Sequence, residues 1–212
     1  LEHLFIAREL DRLGVRLTSL APRFPGSFEK GIDYRGPIDV FRRELAAHAA
    51  VARSAGPYKI SLHSGSDKFS VYPAASEITR GAVHLKTAGT SYLEALRTIA
   101  VFVPDLFREI YHFALRRYES DRESYSVSAT VARARRFESA PDGELPCALD
   151  ADDARQVLHV TFGSVLNERD ERGRPLFAGR LFDELRAHRE AYSETLKAHF
   201  ARHLAPFAAA SR

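Results

Sequence analysis

The order in which short strands and amphipathic helices alternate constrains this chain more than any other feature. Val15 to Pro22, Pro57 to His63, Ala82 to Thr87 and Val157 to Phe162 each carry the pattern of a strand. Helical patterns run between them. Leu4, Phe5, Leu10 and Leu13 recur at helical spacing before Gly14, and Val40, Phe41, Leu45, Ala49 and Ala52 mark an amphipathic helix from Ile38 to Ala55, closed by Gly56-Pro57. A short helix is expected over Tyr72 to Ile78. Another runs from Ser91 to Val101, opened by the capping-box spacing of Ser91-Tyr-Leu-Glu94. Asp105 to Tyr118 and Leu181 to about Phe207 complete the helical set. The stretch at about 119–152 is polar, turns at Pro141-Asp-Gly143, and reads as an insertion with local helix.

Strands alternating with helices argue for a parallel sheet built of βαβ units. Phase narrows this further. Ile60 and Leu62 share one face against Lys59, Ser61 and His63; Val83 and Leu85 oppose His84 and Lys86; Leu158, Val160 and Phe162 oppose Val157, His159 and Thr161. An open sheet covered by helices on both sides is apolar on both faces. One apolar face, with polar groups near the C-terminal ends of the other, suits a (β/α) barrel whose site lies at its top. Four strands are half of eight, and 212 residues fall below the roughly 250 of a whole barrel. The expectation is a single α/β domain over residues 1–212, about half of a (β/α)8 TIM barrel with four parallel strands and flanking helices. Methionine is absent even at position 1, where the helical pattern has already begun, so a piece of a longer chain is expected.

Composition excludes several classes. With 45% hydrophobic and 28% charged residues the chain reads as soluble and globular. No apolar run reaches the ~18 residues that span a bilayer, and the N-terminus is too charged for a signal peptide. The single cysteine, Cys147, has no partner for an internal disulfide, which points to a reducing, cytoplasmic setting. The formal charge of +3 is mild, and the one dense basic run, Arg133-Ala-Arg135-Arg136, is short and followed by Glu138 and Asp142. That argues against nucleic acid and suits a small anionic substrate. Neither a G-x-G-x-x-G nor a P-loop is present, so a nucleotide-binding sheet is disfavoured.

His63 and His159 fall on the polar phase of two different strands, near their C-terminal ends. Two neutral imidazoles with a carboxylate suit a divalent transition metal; the plainer alternative is hydrogen-bonded residues filling a barrel. His84 has the same phase but sits deeper, while His48, His188, His199 and His203 lie on helices and read as surface or packing residues. Ser64-Gly65-Ser66 can aim N–H and hydroxyl groups at an anion or polyol, and Thr87-Ala-Gly89-Thr90 runs into a helix N-terminus, a ready carboxylate site. Both could equally be ordinary βα turns. Lys68 and Lys86 could pair with a substrate carboxylate, and Lys86, if desolvated, could form a Schiff base. Glu29 or Asp67 could act as a base, or simply join a loop salt bridge.

Leu20-Ala-Pro-Arg-Phe24, Phe28-Glu-Lys-Gly-Ile-Asp-Tyr34, Ser61-Leu-His-Ser-Gly-Ser-Asp-Lys-Phe-Ser70, Lys86-Thr-Ala-Gly-Thr-Ser-Tyr-Leu-Glu-Ala95 and Leu158-His-Val-Thr-Phe-Gly-Ser164 together resemble the tagaturonate epimerase family, over roughly Leu17 to Leu204. The resemblance implies an isomerase that interconverts the keto sugar acids D-tagaturonate and D-fructuronate in hexuronate catabolism. It implies a divalent metal ion (Zn, Mn, Ni or similar), held partly by His63 and His159, and retro-aldol chemistry. Glu29 is then the first choice of base and Asp67 the second, with Lys86 also catalytic. Arg23, Lys30, Asp33, Ser64, Ser66, Lys68, Thr87 and Thr90 would hold the carboxylate and hydroxyls. Members are longer, so this chain would be the C-terminal half. A remaining ligand, a carboxylate, would then lie in the other half, and open strand edges would favour self-association or pairing with it. Two alternatives stand beside this reading. One is another sugar-acid or sugar-phosphate isomerase or aldolase using a Lys86 Schiff base, and the other is a non-catalytic carbohydrate-binding half-barrel.

Overall fold

Lys59-Ile60-Ser61-Leu62 is the middle strand of a three-stranded parallel sheet. In the computed structural model, which describes residues 2–63, 66–87 and 89–208, β1 (Ser19–Leu20) lies beside β2 (Lys59–Leu62) with Leu20 opposite Ile60, and β3 (Val83–Leu85) lies on the other side with Leu62 opposite Leu85. The strand order β1-β2-β3 follows the sequence. Helix α1 (Glu2–Arg12) precedes the sheet, α2 (Ile38–Ser54) crosses from β1 to β2, and α3 (Tyr72–Thr79) crosses from β2 to β3. Such helical crossovers are what parallel neighbours require.

Contacts divide the chain into two units. The first comprises Leu1–Phe28, Asp33–Thr87 and Ala201–Arg212; the second comprises Glu29–Ile32 and Ala88–Phe200. The core of the first is legible in α2, which buries Phe41, Leu45, Ala49 and Ala52 on one stripe, with Asp39 in its first turn and Arg53 in its last to complement the helix dipole. Phe41, Leu45 and Ala52 share one buried cluster with Ile60, Leu62, Val71, Tyr72 and Ala75. Each large apolar side chain withdrawn from water here contributes about 1.5–3 kcal/mol.

The second unit is helical: α4 (Thr90–Phe102), α5 (Pro104–Asp121), α6 (Val131–Ala134), α7 (Asp152–Val160), α8 (Phe162–Asn167), α9 (Ala178–Ala187) and α10 (Arg189–Ala208), with 3-10 turns over Arg122–Ser124, Arg135–Phe137 and Asp142–Leu149. From Ala201 onward α10 belongs to the first unit. The segment expected as a polar insertion supplies core here. Ala129, Ala134, Phe137, Leu145 and Leu149 are buried, packed with Phe107, Ile110 and Tyr111 of α5. Tyr111 and Tyr118 donate their hydroxyls to the carbonyls of Ala134 and Ala129 at 2.8 and 3.1 Å, satisfying buried groups on both sides.

Two local expectations are corrected. Val157 to Phe162 is not a fourth strand: Asp152–Val160 is helix α7, and the described residues contain three strands rather than four. Ala154, Val157, Leu158 and Thr161 already stood at helical spacing. Arg155, Gln156 and His159 share the opposite side, but the window Val157 to Phe162 taken alone also fits the alternation of a strand. Nor does Ser91-Tyr-Leu-Glu94 form a capping box. Gly89 occupies the cap of α4 in left-handed geometry, and the Glu94 carboxylate is drawn inward to cationic partners. Among the described residues, no helix is long and apolar enough to cross a membrane.

Candidate functional site

In the first unit β2 delivers the chain into a buried polar turn. His63 is exposed at the strand's end, and Ser64 lies outside the described residues. Ser66, Asp67 and Lys68 are then buried, Lys68 completely. Asp67 adopts φ +60°, a left-handed conformation that non-glycine residues rarely take but Asp tolerates better than most. Hydrogen bonds hold the turn. The Asp67 N–H donates to His203 Nε2 (3.1 Å), the Lys68 N–H to the Tyr72 hydroxyl (3.2 Å), and Lys68 Nζ to the Ser66 carbonyl (3.1 Å). Because His203 Nε2 accepts an N–H, the proton of the neutral ring sits on Nδ1. Asp67 Oδ1 is 3.6 Å from the same nitrogen, and the ring packs against Phe69 and Tyr72. Burial, reinforced by the carboxylates of Asp67 and Asp33, pushes the Tyr72 phenol well above its ordinary range, so it serves as a neutral anchor and not as a base.

The other expected residues of this unit are dispersed. Asp33 accepts the N–H and hydroxyl of Ser70 and the N–H of Tyr34, which makes it a brace for the turn. Arg23 and Lys86 are exposed and Thr87 is half-buried. His84 Nδ1 lies 3.4 Å from Ser61 Oγ and 3.5 Å from Ser19 Oγ across the sheet, at the long end of hydrogen bonding.

The second unit also holds Glu29, Lys30, Thr90 and His159. Glu29 is 8% exposed, and its Oε2 accepts three hydrogen bonds: from the Ser128 N–H (2.8 Å), the Ser128 hydroxyl (2.7 Å) and Gln156 Nε2 (2.9 Å). Arg155 donates from Nε to the Gly31 carbonyl (2.6 Å) and from Nη1 to that of Leu149 (2.7 Å). One turn along α7, buried His159 lies between two glycine backbones. A Cβ at Gly31 would stand 3.2 Å from its Nδ1, and one at Gly89 would stand 2.8 Å from its Nε2. Both glycines have positive φ (74° and 83°), so conformation and space exclude a side chain together. Thr90 is fully buried in the first turn of α4, and its hydroxyl has no hydrogen-bond partner among the described residues. The Lys30 ammonium sits 5.2 Å over the Tyr125 ring.

Glu94 anchors the same unit. Arg97 Nε is 3.0 Å from its carboxylate, His199 Nδ1 3.3 Å and Arg155 Nη1 4.0 Å. Burial pushes this carboxyl up, but the hydrogen bond from His199 and the charges of Arg97 and Arg155 outweigh it and leave it below the usual carboxylate range. Glu94 thereby orients the His199 ring. His203 follows four residues later on α10, so both imidazoles project from one side of that helix. Inspection of the sequence missed Ser128, Arg155, Gln156, His199 and His203 as site residues. The only signal available was the His199-Phe-Ala-Arg-His203 spacing.

Residues 1–207 match the family model described as "UxaE: tagaturonate epimerase". The chain belongs to the tagaturonate epimerase family. A Thermotoga maritima relative named tagaturonate/fructuronate epimerase is 48% identical over 202 residues, which cover 95% of this chain and 41% of that protein. Crystal structures of the fructuronate-tagaturonate epimerase UxaE of Cohnella laeviribosi, native and with one glycerol, are 42% identical with a TM-score of 0.94, covering 97% of this chain and 42% of theirs. The chain thus spans about two-fifths of the length of these tagaturonate epimerase relatives.

Proposed function

We propose that this chain forms part of a cytoplasmic epimerase interconverting D-tagaturonate and D-fructuronate in hexuronate catabolism. The observation that carries the reading is the seating of His159 between Gly31 and Gly89, the chain neighbours of Lys30 and Thr90, in a chain 48% identical to a relative bearing that name. The carbon to be inverted carries a hydroxyl β to the ketone. Its C–H is not adjacent to the carbonyl, so simple enolisation cannot invert it. Retro-aldol cleavage can. Glu29 takes the hydroxyl proton on Oε1, the oxygen away from the three Oε2 donors, and the bond between the α and β carbons breaks. The bonding pair moves into the ketone as an enediolate while the β carbon becomes an aldehyde. Rotation of the aldehyde offers its other face, the bond re-forms, and Glu29 returns the proton. Lys30 and the α4 N-terminus at Thr90 attract the substrate carboxylate. His159 takes part from its seat between Gly31 and Gly89.

A divalent ion of the Zn, Mn or Ni kind belongs to this reading. The fit rests on Asp67 and His203, a buried carboxylate and imidazole whose atoms lie 3.6 Å apart, the mixed oxygen and nitrogen set that such ions take. These two residues would hold it, His203 giving up the Asp67 N–H, with exposed His63 at the same turn as a third candidate. When bound, such an ion would supply Lewis-acid polarisation. Parallel strands in sequential order, each joined to the next by a helix, support placing this sheet within a (β/α) barrel.

The test is epimerase turnover and metal content, in this chain and in a chain of the relatives' full length, for wild type, Glu29→Gln, His203→Ala, His63→Ala and His159→Ala. Glu29→Gln is expected to lower kcat by about 100- to 10,000-fold, and His203→Ala to lose metal and turnover together. Undiminished turnover in Glu29→Gln would move the base elsewhere. Sugar-acid binding that survives a chelator, with no turnover at either length, would leave a carbohydrate-binding module.

A further inference from the structure

We infer that Gln156 is a positioning residue for Glu29, holding one carboxylate oxygen so that proton transfer is confined to the other; this rests on the reading of Glu29 as base. Gln156 is 1% exposed and uses its whole amide. Its Oε1 accepts the Ala129 N–H at 2.9 Å, while Nε2 donates to Glu29 Oε2 at 2.9 Å and to the Lys30 carbonyl at 3.0 Å. The amide has only one workable orientation. Reversed, it would set its carbonyl against a carboxylate and a second carbonyl, and its NH₂ against an N–H. Ser128 adds two donors to the same oxygen. Beside Gln156 on α7, Arg155 grips the Gly31 carbonyl. Three successive residues are therefore pinned from one helix: Glu29 by its side chain, Lys30 and Gly31 by their carbonyls. Gln156 gives one hydrogen to the carboxylate whose placement decides where a proton goes, and placement within about half an ångström is what such a group requires.

The experiment compares Gln156→Leu, Ser128→Ala and Glu29→Gln by kcat, KM, the pH–kcat profile and thermal unfolding, in the full-length chain. Gln156→Leu keeps the volume and removes the amide. It is expected to lower kcat by about 100-fold with KM changed by less than about three-fold, as for a misplaced catalytic group. Fewer donors on Oε2 stabilise the carboxylate less, so the acid limb should move to higher pH in Gln156→Leu, and in the same direction but less in Ser128→Ala. If Gln156→Leu fails to fold, the half-buried Ser128 carries the result alone. Unchanged kcat and acid limb in both, with Glu29→Gln inactive, would overturn the inference while leaving the base in place. An active Glu29→Gln would instead remove the base reading, and the role of Gln156 with it.

Discussion

The Asp67 turn and the Glu29–Gly31 segment bury a carboxylate by opposite means. At Asp67 much of the work is local: Lys68 reaches back two residues to Ser66 and Tyr72 reaches back four to Lys68, while His203 joins from 136 positions away. At Glu29 everything is distant. Ser128, Gln156 and Arg155 lie 99, 127 and 124 positions from the groups they hold. The first carboxylate is positioned by an unusual backbone conformation, the second by saturating donors. The difference teaches that a cluster can look like a motif, as Ser61 to Lys68 does, or leave almost no trace beyond two glycines and a glutamate.

The sharpest way to break this comparison is at the glycines. Gly89→Ala must admit a Cβ 2.8 Å from His159 Nε2 at φ 83°, whereas Gly31→Ala meets Nδ1 at 3.2 Å. Gly89→Ala is expected to cost about 2–3 kcal/mol of stability and about 100-fold in kcat, with Gly31→Ala smaller in both; thermal melts and turnover measure this. Equal, negligible effects would mean that the imidazole has room to move and is not seated by its backbone neighbours. At the Asp67 turn the contrast is within one position. Asp67→Gly and Asp67→Ala both lose the carboxylate, but only glycine relieves the left-handed backbone, so Asp67→Gly should be more stable by about 1 kcal/mol. No difference in urea melts would deny the strain.

Acid separates the two units more gently. In the first, His3 bonds His48 (2.9 Å) and Tyr58 (2.7 Å). Burial, joined for His3 by the charge of His48, holds both imidazoles below their ordinary 6.5. The unfolded chain then takes up protons first, so the stability of this network is full above pH 6.5 and declines as pH falls below it. Glu94 in the second unit titrates below its ordinary 4.5, so its contribution persists down to about pH 4.5 and is lost as pH falls through the lower folded value. Hydrogen exchange at pH 7.5, 5.5 and 4 should show the first unit opening earlier, and Glu94→Gln should flatten the second unit's response below 4.5. Simultaneous loss in both units at pH 5.5 would contradict this ordering.

Much of the fold was legible because its cues are local. The stripe of Phe41, Leu45, Ala49 and Ala52 predicted α2, alternation in Lys59–Leu62 predicted β2, and the turn after it stood out by composition. Family membership was legible for the same reason, since five short motifs carry it. Helix α7 was not, because Val157 to Phe162 taken alone fits period two and period 3.6 alike, and the helical stripe shows only when Asp152 to Gln156 are included.

What the sequence determined by itself was therefore the order of the elements in the first unit, the polar turn after β2, and the kinship. Tertiary structure alone decided that Val157–Val160 is helical, that Gln156 and Arg155 close on Glu29 and Gly31, and that a histidine from α10 holds Asp67. Helix periods and turn chemistry act between residues a few positions apart and can be read along the chain. A buried hydrogen bond is chosen by whatever group stands opposite once water has left, and that partner can lie more than a hundred residues away.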